Sequence, residues 1–233
     1  YTASLAGIHA VFQPIVRSYD HSIFGYEALM RSTGPFSNPL QLITASDALG
    51  RIEELGRAIR TNIAKALQNH PERYEPIFVN LHPMEFRANL LTHYDEPLLP
   101  YASRIILEVT ERAQLISGSD VNQTVAALRD AGYRVALDDL GEGYAGLSWL
   151  VKLVPDIAKI DMSLVRDIQN SRMKRELVSS LVSVCRREST LVVAEGVETR
   201  EEADLLREIG CDLLQGFYFA RPASSFLEFV GDA

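Results

Sequence analysis

Six short apolar runs in this chain end in a polar or charged residue, and amphipathic segments lie between them. The runs are Ile77-Phe78-Val79-Asn80, Ile105-Ile106-Leu107-Glu108, Tyr133 to Asp138-Asp139, Ile157-Ala158-Lys159-Ile160-Asp161, Leu191-Val192-Val193-Ala194-Glu195 and Leu213-Leu214-Gln215-Gly216. Short aliphatic and β-branched stretches bounded by turn residues read as buried strands. A chain that alternates such strands with helices builds a parallel α/β sheet, and ligand chemistry gathers at the carboxyl ends of parallel strands. The polar strand ends are therefore the candidate functional residues.

Asp138 and Asp139 are the most demanding pair among them. Two like charges ~4 Å apart repel by ~4 kcal/mol at an effective dielectric of about 20, so the pair calls for a cation, a shared proton or full solvation. One aspartate capping a helix while the other faces water is the simpler alternative for an isolated pair. Lys159 lies inside an otherwise apolar strand, where lysine is rarely buried unless paired. It is expected to reach the carboxylates.

The N-terminal part breaks the alternation. Val11–Arg17 and Ile23–Arg31 read as strands joined by the polar turn Ser18–Ser22, a connector so short that it implies an antiparallel pair. Period-two alternation puts Glu27, Leu29 and Arg31 on one face; a cross-strand salt bridge is the alternative use of that acid and base. One or two helices between Pro39 and Asn69 carry Leu42, Ile43, Leu49, Ile52, Leu55, Ile59, Ile63 and Leu67 at helical spacing. Further helices are expected over 119–131, over 146–154 with Leu147, Trp149 and Leu150 inward, over 173–188 with Leu177, Leu181, Val184 and Cys185 inward, and over 200–209 behind Thr199 as its cap. A short helix over 224–230 is expected to close the chain. His82, before a proline, is expected to cap or pack rather than to bind metal.

With 233 residues and 47% hydrophobic content the chain is expected to form a single domain over 1–233. A net charge of −8 argues against a DNA or RNA surface, and no apolar run is long enough for a membrane segment. Cys185 and Cys211 form no CxxC pattern and read as idle thiols of a reducing, cytoplasmic compartment. A first residue Tyr1 without a basic-then-apolar leader reads as a domain cut from a longer protein, with regulatory domains or an anchor outside it.

Phe12-Gln13-Pro14-Ile15-Val16, Tyr26-Glu27-Ala28-Leu29-Met30-Arg31, Asn80, Glu108-Val109-Thr110-Glu111, Asp138-Asp139-Leu140-Gly141, Gly143-Tyr144, Lys159-Ile160-Asp161, Glu195-Gly196-Val197-Glu198-Thr199 and Gln215-Gly216, in this order, resemble the EAL domain. The resemblance implies a triose-phosphate-isomerase-like (β/α)8 barrel with one antiparallel strand, and a phosphodiesterase that opens cyclic di-GMP to linear pGpG. It implies that Glu27, Asn80, Glu108 and Asp138 hold one Mg2+ or Mn2+ and that Asp138, Asp139 and Glu195 hold a second. Lys159 would hydrogen-bond the attacking water. Gln13, Leu29, Arg31, Gln215 and Pro222 would contact substrate or its surroundings, Glu111 and Glu198 would support the loop after the aspartates, and a homodimer is expected. An all-oxygen ligand set suits such hard cations. Where the family commonly reads Asp-Asp-Phe-Gly-Thr-Gly-Tyr-Ser-Ser, this chain has Leu140, Glu142, Ala145 and Gly146, which bears on rate, metal preference and regulation. The alternatives to an enzyme are a silent EAL domain acting as a cyclic di-GMP receptor, and a protein-interaction module.

Overall fold

The computed structural model describes residues 1–110, 121–141 and 146–228. Its strands are β1 (Ile8–Arg17), β2 (Ile23–Ser32), β3 (Ile77–Asn80), β4 (Ile105–Val109), β5 (Arg134–Leu140), β6 (Ile157–Ile160), β7 (Leu191–Ala194) and β8 (Leu213–Leu214). They close into a barrel in chain order. β1 runs antiparallel to both β2 and β8, and every other neighbouring pair is parallel. The expected barrel with one antiparallel strand is the fold observed.

The pleat sorts the side chains. Ile15, Phe78, Ile106, Ala136, Ile157, Val193 and Leu213, one from each of seven strands, fill the barrel as one apolar plug, with Phe24 of β2 against it. Residues of opposite parity, among them Val79, Leu107, Leu137, Ala158, Val192 and Leu214, pack outward with the helices. Successive strand residues face opposite sides, so a residue two positions beyond a plug residue returns to the interior one layer higher. Those positions are Asn80, Glu108, Asp138, Lys159, Glu195 and Gln215. On antiparallel β1 the corresponding step runs backwards, from Ile15 to Gln13. A dry floor thus lies beneath one ring of polar side chains.

Helix Ile52–Asn69 buries Ile52, Leu55, Ile63 and Leu67 as its spacing implies, and helix Pro39–Ala48 buries Leu42. Four apolar positions expected inside are exposed: Leu49, Leu147, Leu177 and Val184. Leu49 lies in the break between two helices, and the others sit on the outer edge of helices whose narrow inner stripes are filled by Trp149, Leu150 and Leu153, or by Val178, Leu181, Val182 and Cys185. Of the helix expected over 224–230, none forms over 224–228, and 229–230 lie outside the described residues; Ala223 instead bridges to Phe12, and Phe226 packs on the rings of Phe12 and Tyr26. His82 accepts a hydrogen bond from the Met84 amide, which makes it a cap, as expected. Both cysteines are buried free thiols, and burial pushes Cys185 up to about 11 and Cys211 up to about 12. Among the described residues no helix is long and apolar enough to cross a membrane.

Candidate functional site

Lys159 is 1% exposed and is the centre of the polar ring. Its Nζ lies 2.5 Å from Glu108 Oε1, 2.7 Å from Glu195 Oε1, 3.0 Å from Asp138 Oδ1 and 3.9 Å from Glu27 Oε1. The carboxylates arrive from β2, β4, β5 and the end of β7, so the closed barrel, rather than any local segment, creates the cluster. Asp139 joins it through backbone geometry. Its φ of 57° and a register shift between β5 and β6 interrupt the alternation that would otherwise turn it away from Asp138. Aspartate tolerates the left-handed region better than most residues. Ligand atoms of Asp138, Asp139 and Glu195 consequently all lie within 4.8 Å of one another.

Five carboxylates against one ammonium leave the site strongly anionic. Burial alone would lower the Lys159 ammonium, but Asp138, Glu108, Glu195 and Glu27 outweigh it and hold the group well above its ordinary range. Burial likewise pushes Glu108 well up, against the pull of Lys159. Glu195 is raised to about 8 by burial and by Asp138 and Glu27, with Lys159 opposing. Glu108 Oε2 is buried and has no hydrogen-bond partner among the described residues. A buried, unpartnered carboxylate oxygen in an excess of negative charge is the signature of a place for a cation. The donors are all oxygen, which fits a hard divalent ion such as magnesium or manganese.

Amides hold the acids in place. Asn80 Nδ2 donates to Glu27 Oε1 at 2.8 Å, and Gln215 Nε2 donates to Glu27 Oε2 at 2.7 Å, which fixes the Glu27 carboxylate from both sides. Gln13 Nε2 donates to the Ala220 carbonyl, tying β1 to the segment after β8. Leu29, Arg31 and Pro222 are half-buried, and Arg31 Nη1 donates to the Met30 carbonyl. Glu198 pairs with Arg166. Glu111 and Glu142 lie outside the described residues, as do Gly143, Tyr144 and Ala145 of the loop after the aspartates; Leu140, before it, is buried.

The EAL domain family model matches residues 3–222. The chain belongs to the EAL domain family. Relatives of this EAL domain include the oxygen sensor protein DosP of Escherichia coli, 30% identical over 91% of this chain and 28% of DosP. Another is the cyclic di-GMP phosphodiesterase NbdA of Pseudomonas aeruginosa, 31% identical over 91% of this chain and 28% of NbdA. The EAL domain thus spans less than a third of these relatives. A solved complex of Klebsiella pneumoniae BlrP1 with manganese and cy-diGMP superposes with a TM-score of 0.82 at 32% identity, covering 96% of this chain and 58% of that one.

Two charged features were not picked out in the sequence. Arg60 is buried between Glu85 (2.6 Å) and Glu96 (2.9 Å), outside the barrel and away from the ring. Its position four residues from Gly56 and three from Ile63, on the inner stripe of its helix, was the available signal. Glu202 is buried three residues after Thr199 and completes a capping box, for which the Thr-x-x-Glu spacing was the signal.

Proposed function

We propose that this EAL domain is a metal-dependent phosphodiesterase that hydrolyses cyclic di-GMP to linear pGpG. The observation that carries the reading is the cluster of Glu27, Glu108, Asp138, Asp139 and Glu195 around Lys159, with a buried Glu108 oxygen left without a partner. The similarity to NbdA and to the manganese and cy-diGMP complex of BlrP1 supports the choice of substrate and metal class.

In this reading Glu27, Asn80, Glu108 and Asp138 hold one Mg2+ or Mn2+, and Asp138, Asp139 and Glu195 hold the second. When bound, such ions would supply an activated water and charge stabilisation for a displacement at phosphorus. Lys159, kept protonated by its carboxylates, donates to the attacking oxygen and orients it rather than acting as a base. The water oxygen bonds to phosphorus as the P–O bond to one ribose oxygen breaks; the water gives up one proton and the leaving ribose oxygen takes one up, so the step balances. Gln215 and Asn80 keep the Glu27 carboxylate in one rotamer for its ion. In the same reading Gln13, Leu29, Arg31, Gln215 and Pro222 would contact the substrate or its surroundings. The same reading carries Glu111 and Glu198 as supports of the loop after the aspartates, a homodimer, a cytoplasmic site of action and regulatory domains beyond this stretch.

Incubating the purified domain with cyclic di-GMP and manganese, with EDTA in a parallel sample, tests the proposal. Linear pGpG formed only with metal is expected. Saturable binding of intact dinucleotide without product would overturn the enzyme and favour the receptor.

A further inference from the structure

We infer that Glu202, which lies outside the polar ring, is a positioning residue that sets the place of Glu195 relative to Lys159. This rests on the metal-dependent reading above. Glu202 is 1% exposed, and its carboxylate accepts three backbone N–H groups from two different loops. Oε1 takes the amide of Asp167, in the segment after β6, at 2.9 Å. Oε2 takes the amides of Glu198 and Thr199, in the segment after β7, at 2.8 and 3.1 Å.

The two loops so joined are the continuations of the strands that carry Lys159 and Glu195. They meet elsewhere under equally tight constraint. Gly196, immediately after Glu195, has φ 69°, and a Cβ there would stand 2.5 Å from Met162 Cβ. Arg166 and Glu198 form an ion pair across the same gap. Asp167 holds a left-handed φ of 54° that presents its N–H to Glu202. On the far side, the Val197 amide donates to the Gln215 carbonyl and the Tyr218 amide to the Val197 carbonyl, which fixes the loop to the end of β8. With both flanks set, Glu195 has one place, 2.7 Å from Lys159 Nζ.

A carboxylate is required at 202 because it offers only acceptors, and three donors converge on it. Glutamine, of nearly the same shape, must turn an N–H2 toward at least one of those N–H groups. Glu202→Gln therefore keeps the packing of its helix while releasing one of the two loops. The rearrangement reaches the ion bound by Asp138, Asp139 and Glu195 without removing a ligand.

The experiment measures Mn2+ binding by calorimetry without substrate, together with amide hydrogen exchange at Asp167 and across 195–199, for the wild type, Glu202→Gln and Arg166→Gln. Glu202→Gln is expected to bind Mn2+ roughly tenfold more weakly, in line with other substitutions behind a metal ligand, and to exchange faster at Asp167, because the single amide oxygen keeps the two donors of Glu198 and Thr199 and the N–H2 faces the Asp167 amide. Arg166→Gln, which cuts only the outer ion pair, is expected to move both readouts the same way by less, and it keeps the test available if Glu202→Gln does not fold. Manganese affinity within twofold of wild type in a Glu202→Gln protein whose melting temperature has fallen would overturn the proposal and leave Glu202 a helix cap. A wild type that binds no Mn2+ would instead overturn the metal-dependent reading. The clamp would then stand or fall on the exchange readout alone, and unchanged exchange in Glu202→Gln would overturn it.

Discussion

Replacing Lys159 by methionine removes, at nearly constant side-chain length, the one cation that the described residues place among five carboxylates. Three carboxylate oxygens lie within 3.0 Å of Nζ and a fourth at 3.9 Å. Each contact alone is worth ~4 kcal/mol at 4 Å and an effective dielectric of about 20, and their simple sum would exceed the ~5–15 kcal/mol that holds an entire domain folded. The cost of desolvating the lysine cancels much of that sum. Removing one partner of a buried charge cluster is the better guide, at ~3–5 kcal/mol. Proton uptake then limits the loss. Without Lys159, whose charge opposes protonation of Glu108 and Glu195, the cluster of the variant holds more protons than that of the wild type. Each extra proton bound by the folded variant recovers ~1.4 kcal/mol per pH unit, so most of the deficit seen near about pH 8 is expected to vanish near about pH 6. Divalent metal should act in the same direction, adding ~2.7 kcal/mol at a hundredfold excess over its dissociation constant.

Urea unfolding of Lys159→Met and wild type, in EDTA and in saturating magnesium at both pH values, reads all of these quantities. Turnover of cyclic di-GMP by the variant should fall far more than its binding. A loss below ~1 kcal/mol in EDTA near about pH 8, or a loss independent of pH, would refute the charge balance drawn for this cluster.

Other outcomes follow from the same geometry. Glu108→Gln keeps the shape of the buried side chain but removes its charge; Mn2+ affinity should drop at least roughly tenfold while the metal-free protein becomes more stable, measured by calorimetry and urea unfolding. The folded-state value of Glu195 is raised above its ordinary 4.5 to about 8, so its contribution to metal-free stability is present below that ordinary value and is lost as pH rises through about 8. Metal binding has the opposite slope, because the ion must displace that proton. Mn2+ affinity titrated between about pH 6 and 8 should strengthen by up to about tenfold per unit, and a flat profile would contradict the assignment. Arg60→Met strands Glu85, already raised by burial against the pull of Arg60, together with Glu96. A loss of ~3–5 kcal/mol in urea unfolding is expected, with Mn2+ affinity unchanged. Thr199→Ala should cost about 1 kcal/mol in the same assay, through the lost cap.

Most of the site was legible in the sequence for a simple reason. A strand residue two positions past a buried plug residue must face the same interior, so Ile106 announces Glu108 and Val193 announces Glu195. Lys159 was legible because a lysine two residues after Ile157 has no solvent to reach and needs carboxylates. Asp139 was harder: alternation alone turns it away from Asp138, and only the left-handed backbone at that residue returns it. Spacing also overstated the inner faces of the helices at Leu147, Leu177 and Val184, since a helix against a barrel buries a stripe narrower than its apolar surface. Of the helix expected over 224–230, the described residues 224–228 form none; Ala223 pairs instead with Phe12, a contact 211 residues distant in sequence that no local pattern encodes. Glu202 carries a local signature, the capping box, but its third bond, to Asp167, depends on how two loops meet.

Anomalous diffraction from crystals of the domain grown with manganese tests the central claim most directly. Two manganese peaks are expected, one among Glu27, Asn80, Glu108 and Asp138 and the other among Asp138, Asp139 and Glu195, with Glu108 Oε2 now bound. No manganese in the ring, with Lys159 still paired to Glu108, Asp138 and Glu195, would contradict it.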